Sequence, residues 1–328
     1  SSAASDVYKR QGWASAVREM LRGRAMAREL YRTFKPAAVI GFGGYPAFPA
    51  LLAAFAEKIP TAVHEQNAVL GRVNRVVAGK VDAIATSYKT TERLAAKHEY
   101  KVHLVGNPVR DAVLALRAKP YPLLEEDGIF RVLVTGGSQG ASILSQVVPD
   151  GLAMLPVTFR RRLQVTHQAR IEDIDAVRAQ YAEHQIPAEL ATYLPDMPEQ
   201  LAWAHLVIAR AGASTIAELT AAGRPAILVP LPGATDDHQT ANAREITKAG
   251  GARTIPQPEF TAVELAKQMQ KLGLDPAALE NAAARAKSVG RPTAVSDLAD
   301  LVESLDAPRM VLPVGKSQRN GNLAGAGA

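Results

Sequence analysis

The chain has no cysteine. Disulfides, thiolate chemistry and cysteine-ligated metal centres are thereby excluded, and a reducing compartment suits the composition. It also lacks long apolar runs. None approaches the roughly 18 uninterrupted apolar residues of a membrane span, and no apolar core follows the polar N-terminal residues as a signal peptide requires. There is no short-period repeat and no initiator methionine: Ser1 to Gln11 shows no clear pattern and reads as processed or non-native sequence.

What is present fits a globular protein of about two domains. The 328 residues are 47% hydrophobic and 21% charged, enough for two cores. The net charge of +6 is unevenly placed, because residues 1–35 hold eight basic residues against Asp6, Glu19 and Glu29. From Trp13 to Phe34 the pattern is helical, with Trp13, Val17, Met20 and Leu21 clustering on one side among arginines. Such a segment can lie on an anionic membrane surface, or can be a solvated basic helix.

Strands and helices then alternate. Short apolar strands are expected at 38–41, 61–63, 82–85 and 102–105, with helices between them, such as 47–57. Residues 118–128, with two prolines, read as a linker. A second set of strands is expected at 130–135, 163–166, 190–193, 206–209, 226–229 and 253–255, followed by helices near 261–272, 276–288 and 293–305. This alternation predicts two parallel, doubly wound sheets. The stretch from Pro308, without periodicity, reads as a disordered tail.

Four polar stretches sit at strand ends, where such sheets bind ligands. In His205 to Leu219 a buried strand leads through Ala211-Gly212 into a helix opening near Ala213. The unpaired N–H groups of that first turn, beside Ser214 and Thr215, make an anion seat. Glu218, about one turn further on, can accept hydrogen bonds from two sugar hydroxyls. Thr135-Gly-Gly-Ser-Gln-Gly-Ala141 is a second phosphate-type turn, without the Lys-Ser/Thr ending of a P-loop. It also lacks the acidic residue of a dinucleotide site, and Arg160-Arg161-Arg162 at that distance keep an NADP reading open, with surface charge at a helix–strand junction the favoured one. In Asp236 to Ala243, Gln239 and Asn242 share a helix face suited to sugar hydroxyls, with Asp236 as a candidate cap. His238 has no partner ligands at metal spacing. His64-Glu-Gln-Asn67 follows directly on a strand.

Taken together these stretches resemble the MurG family, the N-acetylglucosaminyltransferases that make lipid II. The matching segments, in family order, are Gly41-Phe-Gly-Gly-Tyr45, Val63-His-Glu-Gln-Asn67, Val105-Gly-Asn-Pro-Val-Arg110, Gly136-Gly-Ser-Gln-Gly-Ala141, Arg210-Ala-Gly-Ala-Ser-Thr-Ile-Ala-Glu218 and Asp237-His-Gln-Thr-Ala-Asn242. The resemblance implies a GT-B fold, two Rossmann-like domains with a cleft between them: residues 1–116, 117–290, a helix at 291–306 returning to the first domain, and a tail at 307–328. It implies that Ser138 faces the UDP pyrophosphate, Arg110 supports the diphosphate and Leu194 lines the uracil pocket through its backbone. Ala213, Ser214, Thr215, Ile216 and Ala217 would hold the phosphates and Glu218 the ribose. Gln239 and Asn242 would grip the GlcNAc hydroxyls, and Asn67 would reach the donor from the other side.

The implied substrates are UDP-GlcNAc and the undecaprenyl-linked acceptor lipid I. The implied place is the cytoplasmic face of the plasma membrane, held peripherally on its anionic surface. No metal, cofactor or nucleic acid is implied. Family members open with a strand and a Gly-Thr-Gly-Gly-His loop, which binds the acceptor pyrophosphate and supplies the proposed base. Nothing like it precedes Trp13, so these residues are expected to be a truncated copy that binds donor without transfer, with an open sheet edge beside 38–41. His64 is assigned no base role. The rival expectations are a UDP-GlcNAc 2-epimerase-like enzyme and a non-catalytic, membrane-associated nucleotide-sugar binder.

Overall fold

The computed structural model describes residues 2–306 apart from Glu126, Ser138, Gln139, Gly273 and Leu274, with side chains from Ser15 onward. The first half contains α1 (Ser2–Phe34), β1 (Val39–Gly41), α2 (Gly44–Glu57), β2 (Thr61–Glu65), α3 (Arg72–Val77), β3 (Ala83–Thr86), β4 (Val102–Leu104) and α4 (Asp111–Leu114). The second begins with β5 (Phe130–Thr135), α5 (Ser142–Ala153), α6 (Val157–Arg160), β6 (Leu163–Gln168), α7 (Ile174–Glu183), β7 (Ala188–Ala191) and α8 (Met197–Trp203). It continues with β8 (Leu206–Ala209), α9 (Ala213–Ala222), β9 (Ala226–Leu228), α10 (His238–Ala249), β10 (Ala252–Thr254), α11 (Ala262–Leu272), α12 (Pro276–Ser288) and α13 (Ala294–Ser304).

The strands form two sheets, ordered β1-β2-β3-β4 and β10-β9-β8-β5-β6-β7, and every pairing in them is parallel. Parallel sheets need helical cover on both faces, which is why their strands read as short, wholly apolar runs. β1 stands at one edge of its sheet. In the larger sheet the strand order reverses between β8 and β5, a switch point where loops diverge and leave a crevice at the C-terminal strand ends.

α13 leaves the second half and packs beneath the first sheet. Its Leu298 and Leu301 join one core cluster with Ala62, Ala83, Ala85 and Val105. The expected linker is held firmly: Leu124 enters the main core, and the Tyr121 hydroxyl donates to the His205 carbonyl at 2.6 Å.

Two expectations need correction. α1 begins at Ser2, ahead of the helical pattern read from Trp13, so the segment before it is helical; the side chain of Trp13 lies outside the described residues. Met20 does not share an exposed side with Val17 and Leu21. Met20, Ala27 and Tyr31 are half-buried along one stripe of the α1 that packs on α2, where the Tyr31 hydroxyl donates to the Ala50 carbonyl (3.4 Å) and Arg28 pairs with Glu57 (2.7 Å). Arg160, Arg161 and Arg162 lie at the start of β6, where the Arg162 carbonyl accepts from Phe130 N–H (2.7 Å) at the start of β5. The glycine turn is at the opposite end of β5, so these arginines do not serve a dinucleotide, in keeping with the favoured reading of surface charge at a helix–strand junction.

Two histidines of the larger sheet are completely buried. His167 Nδ1 meets the Tyr181 hydroxyl at 2.9 Å, and its Nε2 has no partner among the described residues. His205 Nδ1 accepts from the Arg131 N–H at 3.0 Å. Burial pushes both imidazoles down to about 4, with Arg131 adding to the effect at His205. Because the folded values lie below the unfolded value, both rings fold neutral. Their stability contribution is fully present above about pH 6.5 and is lost as the pH falls toward 4. Urea unfolding at pH 7.5 and 5.0 should therefore show a loss on the order of 2 kcal/mol per imidazole, and His167→Phe should shrink it. A wild-type stability that is unchanged between these pH values would contradict the assignment.

Candidate functional site

A cavity of about 340 Å³ opens at the switch point of the larger sheet. One wall comes from the ends of β5 and β6, with Thr135, Gly137 and Gln168; the other is the start of α9, with Ser214, Thr215 and Glu218. Leu194 and Met197 close it from the β7–α8 connection, and Arg110 reaches in from the first half.

The backbone explains this shape. Gly136 has no room for a side chain, since a Cβ there would stand 2.4 Å from the Ala141 nitrogen, and Gly137 has a left-handed φ of 78°. The turn therefore hugs the start of α5. Gln168 fixes it: Oε1 accepts from the Thr135 hydroxyl (2.7 Å), while Nε2 donates to the Gly137 carbonyl (3.1 Å). Gly212 precedes α9 in an extended conformation and no side chain caps that helix. Its first-turn N–H groups thus remain available at the positive end of the dipole.

Arg110 Nη2 lies 2.8 Å from Glu218 Oε1. This pair joins a residue from the inter-sheet connection to one turn of α9 and sets a cation and a carboxylate side by side at the cavity wall. Arg110, Leu194, Ser214, Thr215 and Glu218 are therefore brought together as expected neighbours. Ala213, Ile216 and Ala217 turn their side chains to the opposite face of α9, toward a different, small cavity; only their backbones can serve a phosphate. Ser138 lies outside the described residues.

The remaining candidates are used differently. Asn242 is completely buried. Its Oδ1 accepts from the Ala68 N–H (2.8 Å), and its Nδ2 donates to Asn67 Oδ1 (3.1 Å) and the Ala211 carbonyl (3.2 Å). The expectation that it grips a sugar is corrected: it fastens the two halves. Gln239 Oε1 accepts from the N–H groups of Ala211 (3.2 Å) and Leu231 (3.0 Å), which ties the turn before α9 to the loop after β9. Asp236 does not cap α10. It takes a left-handed φ of 59°, and its carboxylate pairs with Arg75 (2.6 Å) and Arg93 (2.8 Å) of the first half.

Around Asn67 a buried carboxylate organises the loop after β2. Glu65, 2% exposed, accepts from the Asn67 N–H (3.0 Å), the Gly71 N–H (2.7 Å) and Asn74 Nδ2 (2.9 Å). Neighbouring His64 is buried, which lowers its pKa, and its Nε2 meets the Gly106 carbonyl at 2.8 Å. That ring is a strut between β2 and the Gly106 turn. A second cavity, about 320 Å³, runs between Tyr45, Asn67 and Arg72 on one side and Thr235, Asp236 and His238 on the other. Among the described residues no cluster of three or more His, Asp or Glu is placed to hold a metal.

Sequence reasoning missed Gln168, Tyr193 and Met197. A polar residue ending an apolar strand, the signal that marked His64 to Asn67, would have found Gln168.

Comparison with known proteins accounts for both halves. Residues 7–107 match the glycosyltransferase family 28 N-terminal domain and residues 131–301 its C-terminal domain. A protein of Erythrobacter litoralis named UDP-N-acetylglucosamine--N-acetylmuramyl-(pentapeptide) pyrophosphoryl-undecaprenol N-acetylglucosamine transferase is 61% identical over 96% of this chain and 79% of its own length. The protein of that name from Novosphingobium aromaticivorans is 66% identical over 89% of this chain and 75% of its own. The crystal structure of Acinetobacter baumannii MurG superposes with a TM-score of 0.74 at 30% identity, covering 87% of this chain and 80% of that one. A Neisseria meningitidis UDP-GlcNAc 2-epimerase, 15% identical with a TM-score of 0.57 over 87% of this chain and 81% of that one, shares the fold alone. The two parallel sheets, with a cavity at the switch point of the larger one, thus have a known setting: the chain belongs to glycosyltransferase family 28, among the MurG N-acetylglucosaminyltransferases.

Proposed function

We propose that the chain carries the transfer of GlcNAc from UDP-GlcNAc to the muramoyl 4-hydroxyl of undecaprenyl-pyrophosphoryl-MurNAc-pentapeptide, giving lipid II for peptidoglycan. The observation that carries this reading is the crevice at the switch point, lined by Arg110, Gly137, Ser214, Thr215 and Glu218, in a chain whose relatives bear that activity in their names. In it the domains are 1–116 and 117–290, with 291–306 returning to the first.

The chemistry follows from charge. The acceptor hydroxyl attacks C1 from the face opposite UDP, its proton passes to a base, and the C1–oxygen bond to the diphosphate breaks. Negative charge grows on the leaving diphosphate. The open first turn of α9 and the Gly136-Gly137 turn before α5 supply N–H donors that are fixed before the reaction begins, so no reorganisation is needed when the charge appears. Arg110 adds a cation there, Glu218 holds the ribose hydroxyls and Leu194 walls the uracil. Asn67 and Gln239 position the sugar side, Gln239 chiefly by shaping the turn that begins α9.

We place the protein peripherally on the cytoplasmic face of the plasma membrane. No helix among the described residues is long and apolar enough to cross one. Support for surface attachment comes from α1, where Val17, Leu21, Met26, Leu30 and Phe34 are exposed beside the exposed Arg18, Arg22 and Arg32. Apolar side chains among basic ones suit an interface with anionic lipid.

Three measurements test these proposals. Glu218→Ala should weaken UDP by about 1.5–3 kcal/mol, the range for a lost charge-assisted hydrogen bond, and Asn242→Ala should lower stability while leaving UDP affinity within a few fold. Calorimetry and urea unfolding with the two effects exchanged would reject the division of roles. Sedimentation with anionic liposomes should be lost at high salt and reduced by Leu21→Glu; absence of binding at any salt would remove the membrane assignment. Radiolabelled UDP-GlcNAc and lipid I, given to these 328 residues alone and joined to the family's Gly-Thr-Gly-Gly-His segment, locate the base. Transfer only by the joined protein agrees with a base in that loop, and equal rates would place it among the residues present.

A further inference from the structure

We propose that the seam between the two halves holds a second ligand site, a cavity between the segment Tyr88–Glu92 and the C-terminal part of α10 that accepts a small organic anion with an apolar body. The cavity has a volume of about 510 Å³ and shares no lining residue with the crevice at the switch point or with the cavity beside Asn67. Its size falls within the range of small-molecule sites.

The chemistry of its walls selects the ligand. Ala68, Ala241, Ala249 and Val289 give an apolar floor. Lys89, Arg244 and Lys248 stand at its rim with Glu92 and Glu245. The two carboxylates are engaged: Glu92 pairs with Arg244, and Glu245 lies 3.8 Å from Arg291. Lys89 and Lys248 are exposed and make no ion pair or hydrogen bond among the described residues. Two uncompensated ammonium groups over an apolar floor favour a ligand with an anionic head and an apolar body, because each part of the ligand then meets its complement.

A second observation points the same way. Tyr88 is 8% exposed, lines this cavity, and makes no hydrogen bond through its hydroxyl among the described residues. Its hydroxyl oxygen keeps access to solvent at the cavity, so a ligand acceptor there can take the place of water as its partner. Tyr88, Glu245 and Val289 also line a neighbouring cavity of about 30 Å³ that reaches Ala213, Ile216 and Ala217 on the back of α9. An occupant would touch both halves of the protein and the helix that carries His238 and Gln239 at its other end. It would therefore stabilise the arrangement of the halves seen here, by mass action.

The site does not depend on the proposed transfer reaction, and its test is separate. The probe is 8-anilino-1-naphthalenesulfonate, an aromatic monoanion whose fluorescence rises in apolar surroundings, titrated into the full chain both without UDP and with saturating UDP. Saturable binding is expected. It should weaken about tenfold in Lys89→Glu/Lys248→Glu, whose exposed positions leave the fold intact, as the reversal of two rim charges implies. It should also weaken in Ala249→Trp, which fills the cavity without changing its charge. Equal affinity in wild type and both variants would overturn the proposal, as would displacement of the probe by UDP, which would place it in the nucleotide crevice.

Discussion

The amide of Asn242 is the fastening on which the arrangement of the two halves depends. It is fully buried; its oxygen and nitrogen reach across the seam to Ala68 and Asn67, and the nitrogen also holds the Ala211 carbonyl of its own half. Parallel sheets give each half its own core but leave polar loops at the strand ends, where the halves meet. Backbone groups buried there must find partners. A carboxamide donates and accepts at once and carries no charge, so it can close this seam without the desolvation cost of an ion pair. The salt links of Asp236 with Arg75 and Arg93 lie nearer the rim and add orientation.

The anion seat follows from the way the sheet is wound. Where β5 and β8 lie side by side, their following segments turn away from one another, one toward α5 and one toward α9. The gap cannot be filled by backbone from either side. Its walls therefore present glycine turns, free N–H groups and short polar side chains, which is what a diphosphate requires. Arg110 enters from the inter-sheet connection, so the cavity wall and the first half are joined through its pair with Glu218.

Both sheets were legible from the alternation of apolar runs, because a strand covered on both faces has nowhere to put polar residues. The glycine turns and Glu218 were legible as well, since turn geometry and helix starts are local. Asn242 was legible as a residue of interest but not in its role. The spacing of Gln239 and Asn242 says that they share a helix face; it does not say whether that face meets a sugar or another domain. Met20 shows the same gap. Helical periodicity groups it with Val17 and Leu21, yet a difference of one residue, about 100° around the axis, turns it against α2.

By itself the sequence determined the strand and helix repertoire, the parallel winding, the glycine turns and the family, all of which rest on contacts a few residues apart or on ordered motifs. Only the tertiary structure decided which polar groups are spent holding the protein together and which stay open to a ligand. Asn242, Gln239 Oε1, Glu65 and His64 are spent; the first turn of α9 is open. The physical reason is that hydrogen-bond satisfaction is a property of the packed seam. Its partners lie up to 175 positions apart in the chain, beyond the reach of any local pattern.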